Sequence, residues 1–331
     1  MPGRFKVMTA VATTLVVSAC AGSAPVPTPS PAATPTPGVA VSPSASPSPS
    51  PSAPLQRLEA RLPVAIEETA AAATGQALYV IGGFDAAGNS LRTVYVFNGT
   101  AWNAGPRLPI GLDHASAATL DGRVYVAGGH SFGRDSARLF RLDGSAWTEL
   151  APMHHARGGH ALIGDGGRLY VIGGNTVSGD VPAAEVYDPG TNRWSDLPPL
   201  PLPRNHVSGF TFNGEVCVAG GRSPNTARVD CFNPQARSWG RRASLPQATS
   251  GAGAVMLAGG IVVVAGGEDA GESRLISQLV HLGLDGKWSG VVSMLVPRHG
   301  FQLALFEGRA WACGGGAAPG LRPVATCTSI G

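Results

Sequence analysis

The 331-residue chain is long enough for one large domain or two ordinary ones, each with a buried core. Its 46 glycines and 28 prolines disfavour helix interiors and only 14% of its residues are charged, which argues against a helical bundle. A net charge of +3, falling to +1 if Arg4 and Lys6 leave with a leader, gives no electrostatic reason to expect a nucleic-acid partner. The balance points to a turn-rich, all-β, extracytoplasmic protein.

Arg4 and Lys6 precede an apolar stretch, Val7 to Val17, broken only by Thr9, Thr13 and Thr14. That is a signal-peptide pattern, too short and threonine-rich for a spanning helix. It ends in Val17-Ser18-Ala19-Cys20, which resembles the lipobox of bacterial lipoproteins. The resemblance implies cleavage after residue 19, a lipid on Cys20 and anchorage to a bacterial membrane, at the cell surface or facing the periplasm. Residues 21–54 hold eleven prolines and no charge or aromatic ring. Such a segment cannot bury enough apolar surface to fold, so residues 20–54 are expected to be a disordered, polyproline-like tether. Its full reach would be about 100 Å at 3.1 Å per residue.

From residue 55 onward the chain repeats. Diglycines at 82–83, 128–129, 173–174, 220–221, 266–267 and 314–315 are spaced 45 to 48 residues apart, each after an apolar strand. Trp102, Trp147, Trp194, Trp239 and Trp288 each stand 26 or 27 residues before the next diglycine. With Tyr79, Tyr125, Tyr170 and Trp311 three residues before diglycines, and Tyr187-Asp188-Pro189 ahead of Trp194, residues 55–331 resemble kelch-type β-propellers. The resemblance implies six four-stranded antiparallel blades around an axis. Too few residues follow Gly315 to complete the sixth blade, and counting 26 back from Gly82 lands on Gln56. The segment at 55–62 is therefore expected to supply the missing outer strand and close the ring; a separate N-terminal helix is the alternative. A monomeric propeller is the expectation.

Setting Cys20 aside leaves an even four cysteines in an oxidising compartment. In the propeller frame Cys217 and Cys231, and likewise Cys313 and Cys327, fall on the second and third strands of one blade. Disulfides 217–231 and 313–327 are the economical pairing, four unpaired buried thiols the other reading. No Cys-x-x-Cys motif proposes zinc, and no metal or cofactor is expected.

Ligand chemistry is expected where the inner strands begin, at the channel mouth. Sixteen residues before the diglycines stand Ile66, Leu112, Arg157, Arg204, Ser250 and Arg298; fourteen before stand Glu68, His114, Gly159, His206, Ala252 and Gly300. Positions two apart share a strand face. On that count Arg157, Arg204, Arg298, His114, His206 and Glu68 converge, with His130, Arg222, Glu268 and Asp269 on loops above. Three guanidiniums would suit an anionic ligand, although arginine here is also part of the kelch pattern and often only ties blades together. The reading is a binding propeller for a glycan, cell-wall fragment or protein. The alternative is an enzyme of the sialic-acid mutarotase or epimerase type acting on a sugar acid, an analogy of fold alone.

Overall fold

The computed structural model describes residues 55–331; the expected leader (1–19), Cys20 and the linker to residue 54 lie outside the described residues. The described chain is all β-strand and turn, and no helix in it is long and apolar enough to cross a membrane. Six four-stranded antiparallel sheets take strands in sequence order from the axis outward. Blade 1 holds Ala70–Ala73, Leu78–Ile81, Val94–Phe97 and Trp102–Ala104; blade 2 runs from Ser116–Leu120 to Ala146–Leu150. Blade 3 runs from Ala161–Asp165 to Arg193–Leu197, blade 4 from Ser208–Phe212 to Ser238–Arg242, and blade 5 from Gly253–Met256 to Trp288–Ser293. Blade 6 takes Leu303–Phe306, Arg309–Cys313 and Cys327–Ile330 from the C-terminal end, and its fourth strand is Gln56–Glu59. The N-terminal segment is thus the closing strand, paired Gln56 to Ile330 through Glu59 to Cys327.

Small residues line the axis, as in Ala70–Ala73, where six strands converge. The second strands are buried on both faces, as in Glu215–Ala219 and Val262–Ala265, and so lack polar alternation. Apolar side chains gather into six clusters, one at each interface between neighbouring blades. The diglycine corners allow these blades to approach. At Gly128 a Cβ would sit 2.5 Å from the Arg157 carbonyl oxygen, and φ there is +63°.

Each phased tryptophan donates its ring N–H to a backbone carbonyl just past the outer strand of the preceding blade, as Trp147 does to Pro106 at 2.7 Å. Gln56 holds the equivalent place in blade 6 and does the same work with an amide. It donates to the Ser293 carbonyl at 2.8 Å and accepts the Leu295 N–H at 2.7 Å.

Both disulfides form between directly opposed residues, Cys217 to Cys231 and Cys313 to Cys327. Each closes a short loop, so replacing either pair with alanine should cost about 3 kcal/mol in a urea melt. The Cys313–Cys327 pair should matter more for refolding yield, because it lies in the strand onto which the N-terminal segment closes.

Candidate functional site: the channel mouth and its neck

The three arginines are not in the channel mouth, which corrects the sequence expectation. Arg157, Arg204 and Arg298 are fully buried and turn away from the axis into their own blades. Arg157 donates to the Glu185 carboxylate at 2.6 Å and to the carbonyl of Gly173 at 3.0 Å. Arg204 donates to Gly220 O at 2.7 Å and pairs with Asp230 at 2.9 Å. Arg298 has no carboxylate partner among the described residues; it donates to the carbonyls of Gly314 and Thr326, and burial pushes its pKa down to about 10. Each guanidinium thus clamps its blade's diglycine corner. Counting also slips by one in blade 5: Thr249 and Gly251, rather than Ser250 and Ala252, occupy the equivalent positions, since their backbone groups make the equivalent bonds. The extra residue lies in the longer hairpin between Met256 and Val262.

The positions fourteen before the diglycines do meet on the axis. Glu68, His114, Gly159, His206, Gly251 and Gly300 form a closed ring of backbone hydrogen bonds. His114 N donates to Glu68 O, Gly159 N to His114 O, His206 N to Gly159 O, Gly251 N to His206 O and Gly300 N to Gly251 O; Thr69 N donates to Gly300 O and completes it. All six ring residues are left-handed, with φ between +50° and +67°. Three are glycine; Glu68, His114 and His206 hold that conformation at a cost of roughly 1 kcal/mol each. Strain of this kind persists where the fold over-determines it, and it concentrates at functional sites. A Cβ at Gly159 would lie 2.9 Å from His206 Nδ1, so there is no room for a fourth side chain there.

The two histidines have opposite environments. His114 Nδ1 lies 2.7 Å from the buried Asp113 carboxylate, and its Nε2 is 3.5 Å from Glu68 Oε2. Ser90 in turn donates its hydroxyl to Asp113 at 2.5 Å. Burial pulls the His114 pKa down, but Glu68 and Asp113 together outweigh it and leave the ring above its ordinary value. His206 Nδ1 lies 2.5 Å from Asn205 Oδ1, and Arg222 donates to its Nε2 at 3.0 Å. Burial, reinforced by Arg222, drives His206 well below the ordinary range, so it is a neutral imidazole. The rings stand edge to face, 5.1 Å apart.

Above this neck opens a cavity of about 310 Å³, walled in part by Glu67, Glu68, Phe84, His114, Arg222, Glu268, Glu272, His299 and Leu321. Below it a space of about 60 Å³ is shared by Glu68, His114, His160 and His206. Gln302 spans the channel there, accepting the N–H groups of Ala71 and Ala117, both at 2.9 Å. Of the expected loop residues, Arg222 and Glu268 wall the cavity, and Arg222 also meets Glu272 at 2.8 Å. His130 stands beside His114, ring centroids 5.5 Å apart, with Asp135 at 3.0 Å from its Nδ1. Asp269 is not in the cavity lining, a second correction: its carboxylate accepts the N–H groups of Ser273 and Arg274 and so belongs to its own turn. Sequence reasoning missed Glu67 and His299. Both sit fifteen before their diglycine, and a left-handed residue next in the chain breaks the alternation that would have turned them away.

His160 is buried, and neither ring nitrogen has a hydrogen-bond partner among the described residues. Burial first, then Arg157 and His130, lowers its pKa to about 3. The His160 ring therefore binds fewer protons in the folded than in the unfolded chain between about pH 3 and 6.5, and its contribution to stability falls as pH falls through that window. His160→Leu should flatten the slope there by up to about 1.4 kcal/mol per pH unit, read from urea melts at several pH values.

A family model described as the KLHDC2/KLHL20/DRC7 Kelch-repeats domain matches residues 54–221. The chain belongs to the kelch-repeat family. Its kelch region is 37% identical to an F-box/kelch-repeat protein of Arabidopsis thaliana over 111 residues, 31% of this chain and 30% of that protein. It is 32% identical to Beta-scruin of Limulus polyphemus over 30% of this chain and 12% of that one. Mouse Kelch-like protein 35 matches at 31% over 37% of this chain and 22% of its own length. The match thus spans less than a third of each relative. The solved structure titled "Structure of YjhT" superposes with a TM-score of 0.68 at 17% identity, over 81% of this chain and 95% of that one. That likeness concerns the fold alone.

Proposed function

We propose that this kelch propeller is a lipid-anchored, extracytoplasmic binding protein that takes a glycan-type ligand in the channel mouth. The observation that carries the reading is the 310 Å³ cavity, whose wall mixes carboxylates and imidazoles with the apolar faces of Phe84 and Leu321. Hydroxyl groups of a sugar pair with the former, and its C–H faces pack on the latter. With the three arginines committed to blade corners, Arg222 is the arginine on that wall, so a neutral glycan or wall fragment fits better than a sugar acid. Flanking ribbons put Phe132 and Val177, each more than 70% exposed, beside the mouth for a larger partner.

The lipobox-like Val17 to Cys20, the proline-rich tether and the two disulfides support the location. Leu55 enters the propeller at the hairpin end held by Arg309, opposite the mouth. Cys20→Ser should move the protein from the membrane to the soluble fraction; retention in the membrane would end the anchoring proposal. A thermal-shift screen against neutral oligosaccharides, muropeptides and sugar acids tests the ligand class. A shift by the neutral set supports the reading, and a shift by sugar acids alone contradicts it.

A second reading, an enzyme working by acid–base chemistry on a sugar acid, is favoured by one observation. His114 and His206 are neighbours whose pKa values are pushed in opposite directions, as in general acid and base pairs.

A further inference from the structure

We infer that the neck is a binding site for one divalent transition-metal ion, held by His114, His206 and Glu68 beneath the mouth cavity. A ring nitrogen of each histidine and a carboxylate oxygen of Glu68 lie within 4.8 Å of one another. His114 Nε2 and Glu68 Oε2 are 3.5 Å apart, which is long for a charge-assisted hydrogen bond. That separation matches the spacing of about 3.4 Å between neighbouring ligands of a tetrahedral ion with bonds near 2.0–2.2 Å.

The surroundings are those of ligating histidines. A metal-bound imidazole almost always gives its other N–H to a carboxylate or carbonyl, which fixes tautomer and ring orientation. His114 Nδ1 is held by Asp113, itself held by Ser90, and His206 Nδ1 is held by Asn205. Both Nε2 atoms are thereby left for a ligand. At His206 Nε2 the guanidinium of Arg222 now stands 3.0 Å away, a cation where the ion would bind. It has Glu272 and Glu268 to turn to, at 2.8 and 3.7 Å. On binding, His114 presents the lone pair of Nε2 to the ion while its Nδ1–H stays on the Asp113 carboxylate.

Backbone strain points the same way. The three ligands are the three non-glycine members of the ring, each in a left-handed conformation that glycine would adopt more cheaply. Two imidazoles and one carboxylate suit zinc(II) and its first-row neighbours, and exclude calcium, which takes six to eight oxygens. Glu68 and His114 line both spaces, so the ion keeps an open position toward the mouth.

The test is calorimetric titration of the purified, chelator-stripped full-length protein with Zn²⁺, with Ca²⁺ alongside. One Zn²⁺ per chain is expected to bind at submicromolar concentration, and Ca²⁺ not at all. Glu68→Gln, which keeps shape and loses charge, should weaken zinc at least tenfold. The His114→Gly, His206→Gly double variant should abolish binding while keeping its melting temperature, since glycine is at home at these φ values. Co²⁺ should give the d–d absorption of a low-coordinate site in the native protein and not in the double variant. If the double variant does not fold, Glu68→Gln alone decides. Absence of saturable zinc binding, or binding undiminished in these variants, overturns the assignment. So does loss of binding on His154→Ala, which would place the ion at the outer cluster of His154, Glu185 and Asp196.

Discussion

Removing residues 55–62 should leave a propeller that no longer folds as a stable monomer. The deletion strips blade 6 of its outer strand, with its four-residue register on Cys327–Ile330. It also removes Leu62, buried to 3% exposure between blades 6 and 1, and the Ala60 carbonyl that takes the Trp102 ring N–H. Strand hydrogen bonds at about 1 kcal/mol each and a buried leucine at about 2 kcal/mol sum to at least about 5 kcal/mol. That equals the whole stability of many domains, and the exposed edge of Cys327–Ile330 would invite self-association. The check is size-exclusion chromatography and a urea melt of the truncated chain. A monomer with an unchanged midpoint would show that the ring does not depend on its N-terminal strand.

Arg157→Ala should be the most damaging of the three arginine truncations, at about 3–5 kcal/mol, because it leaves the Glu185 carboxylate at 0% exposure without its counter-ion. Glu185 retains the N–H groups of His154 and His155 and the exposed His154 ring at 3.8 Å, and gains no buried cation in place of the guanidinium. Arg298→Ala removes hydrogen bonds to carbonyls but strands no charge, so about 1–3 kcal/mol is expected. An Arg157→Met, Glu185→Met double variant should recover much of the loss, since replacing both members of a buried pair by apolar groups is far milder than removing one. Urea melts of the four proteins check the order. Equal losses for Arg157→Ala and Arg298→Ala would mean that the buried ion pair contributes nothing beyond its hydrogen bonds.

The propeller is legible in the sequence because its geometry demands particular residues at fixed intervals. Only glycine permits the carbonyl of a neighbouring blade as close as the Arg157 oxygen comes to Gly128, so the corners announce themselves at every repeat. Ring closure follows from the same arithmetic, and Gln56 falls where the count puts it although it is no aromatic. The candidate site is legible only in part. Glu68, His114 and His206 share the axis as their spacing implies. Arg157, Arg204 and Arg298 have the right spacing and the wrong direction, because the residue two further on is itself left-handed, Gly159, His206 and Gly300 at +59°, +52° and +61°, and strand alternation does not hold there. The same kink brings Glu67 and His299 into the mouth. A longer hairpin after Met256 shifts blade 5 by one, which spacing measured from the diglycine cannot reveal. Asp269 is claimed by a local turn, a competition between side chain and backbone that residue type leaves open.

If ligands bind at the neck and mouth as proposed, the buried arginines serve only to hold the blade corners. The most direct measurement compares the thermal shift given by the best neutral glycan on the native protein, on Arg298→Ala and on Glu68→Gln. The shift should survive Arg298→Ala, on a lower baseline melting temperature, and disappear in Glu68→Gln. A shift lost in Arg298→Ala and kept in Glu68→Gln would return the site to the arginines and contradict the reading.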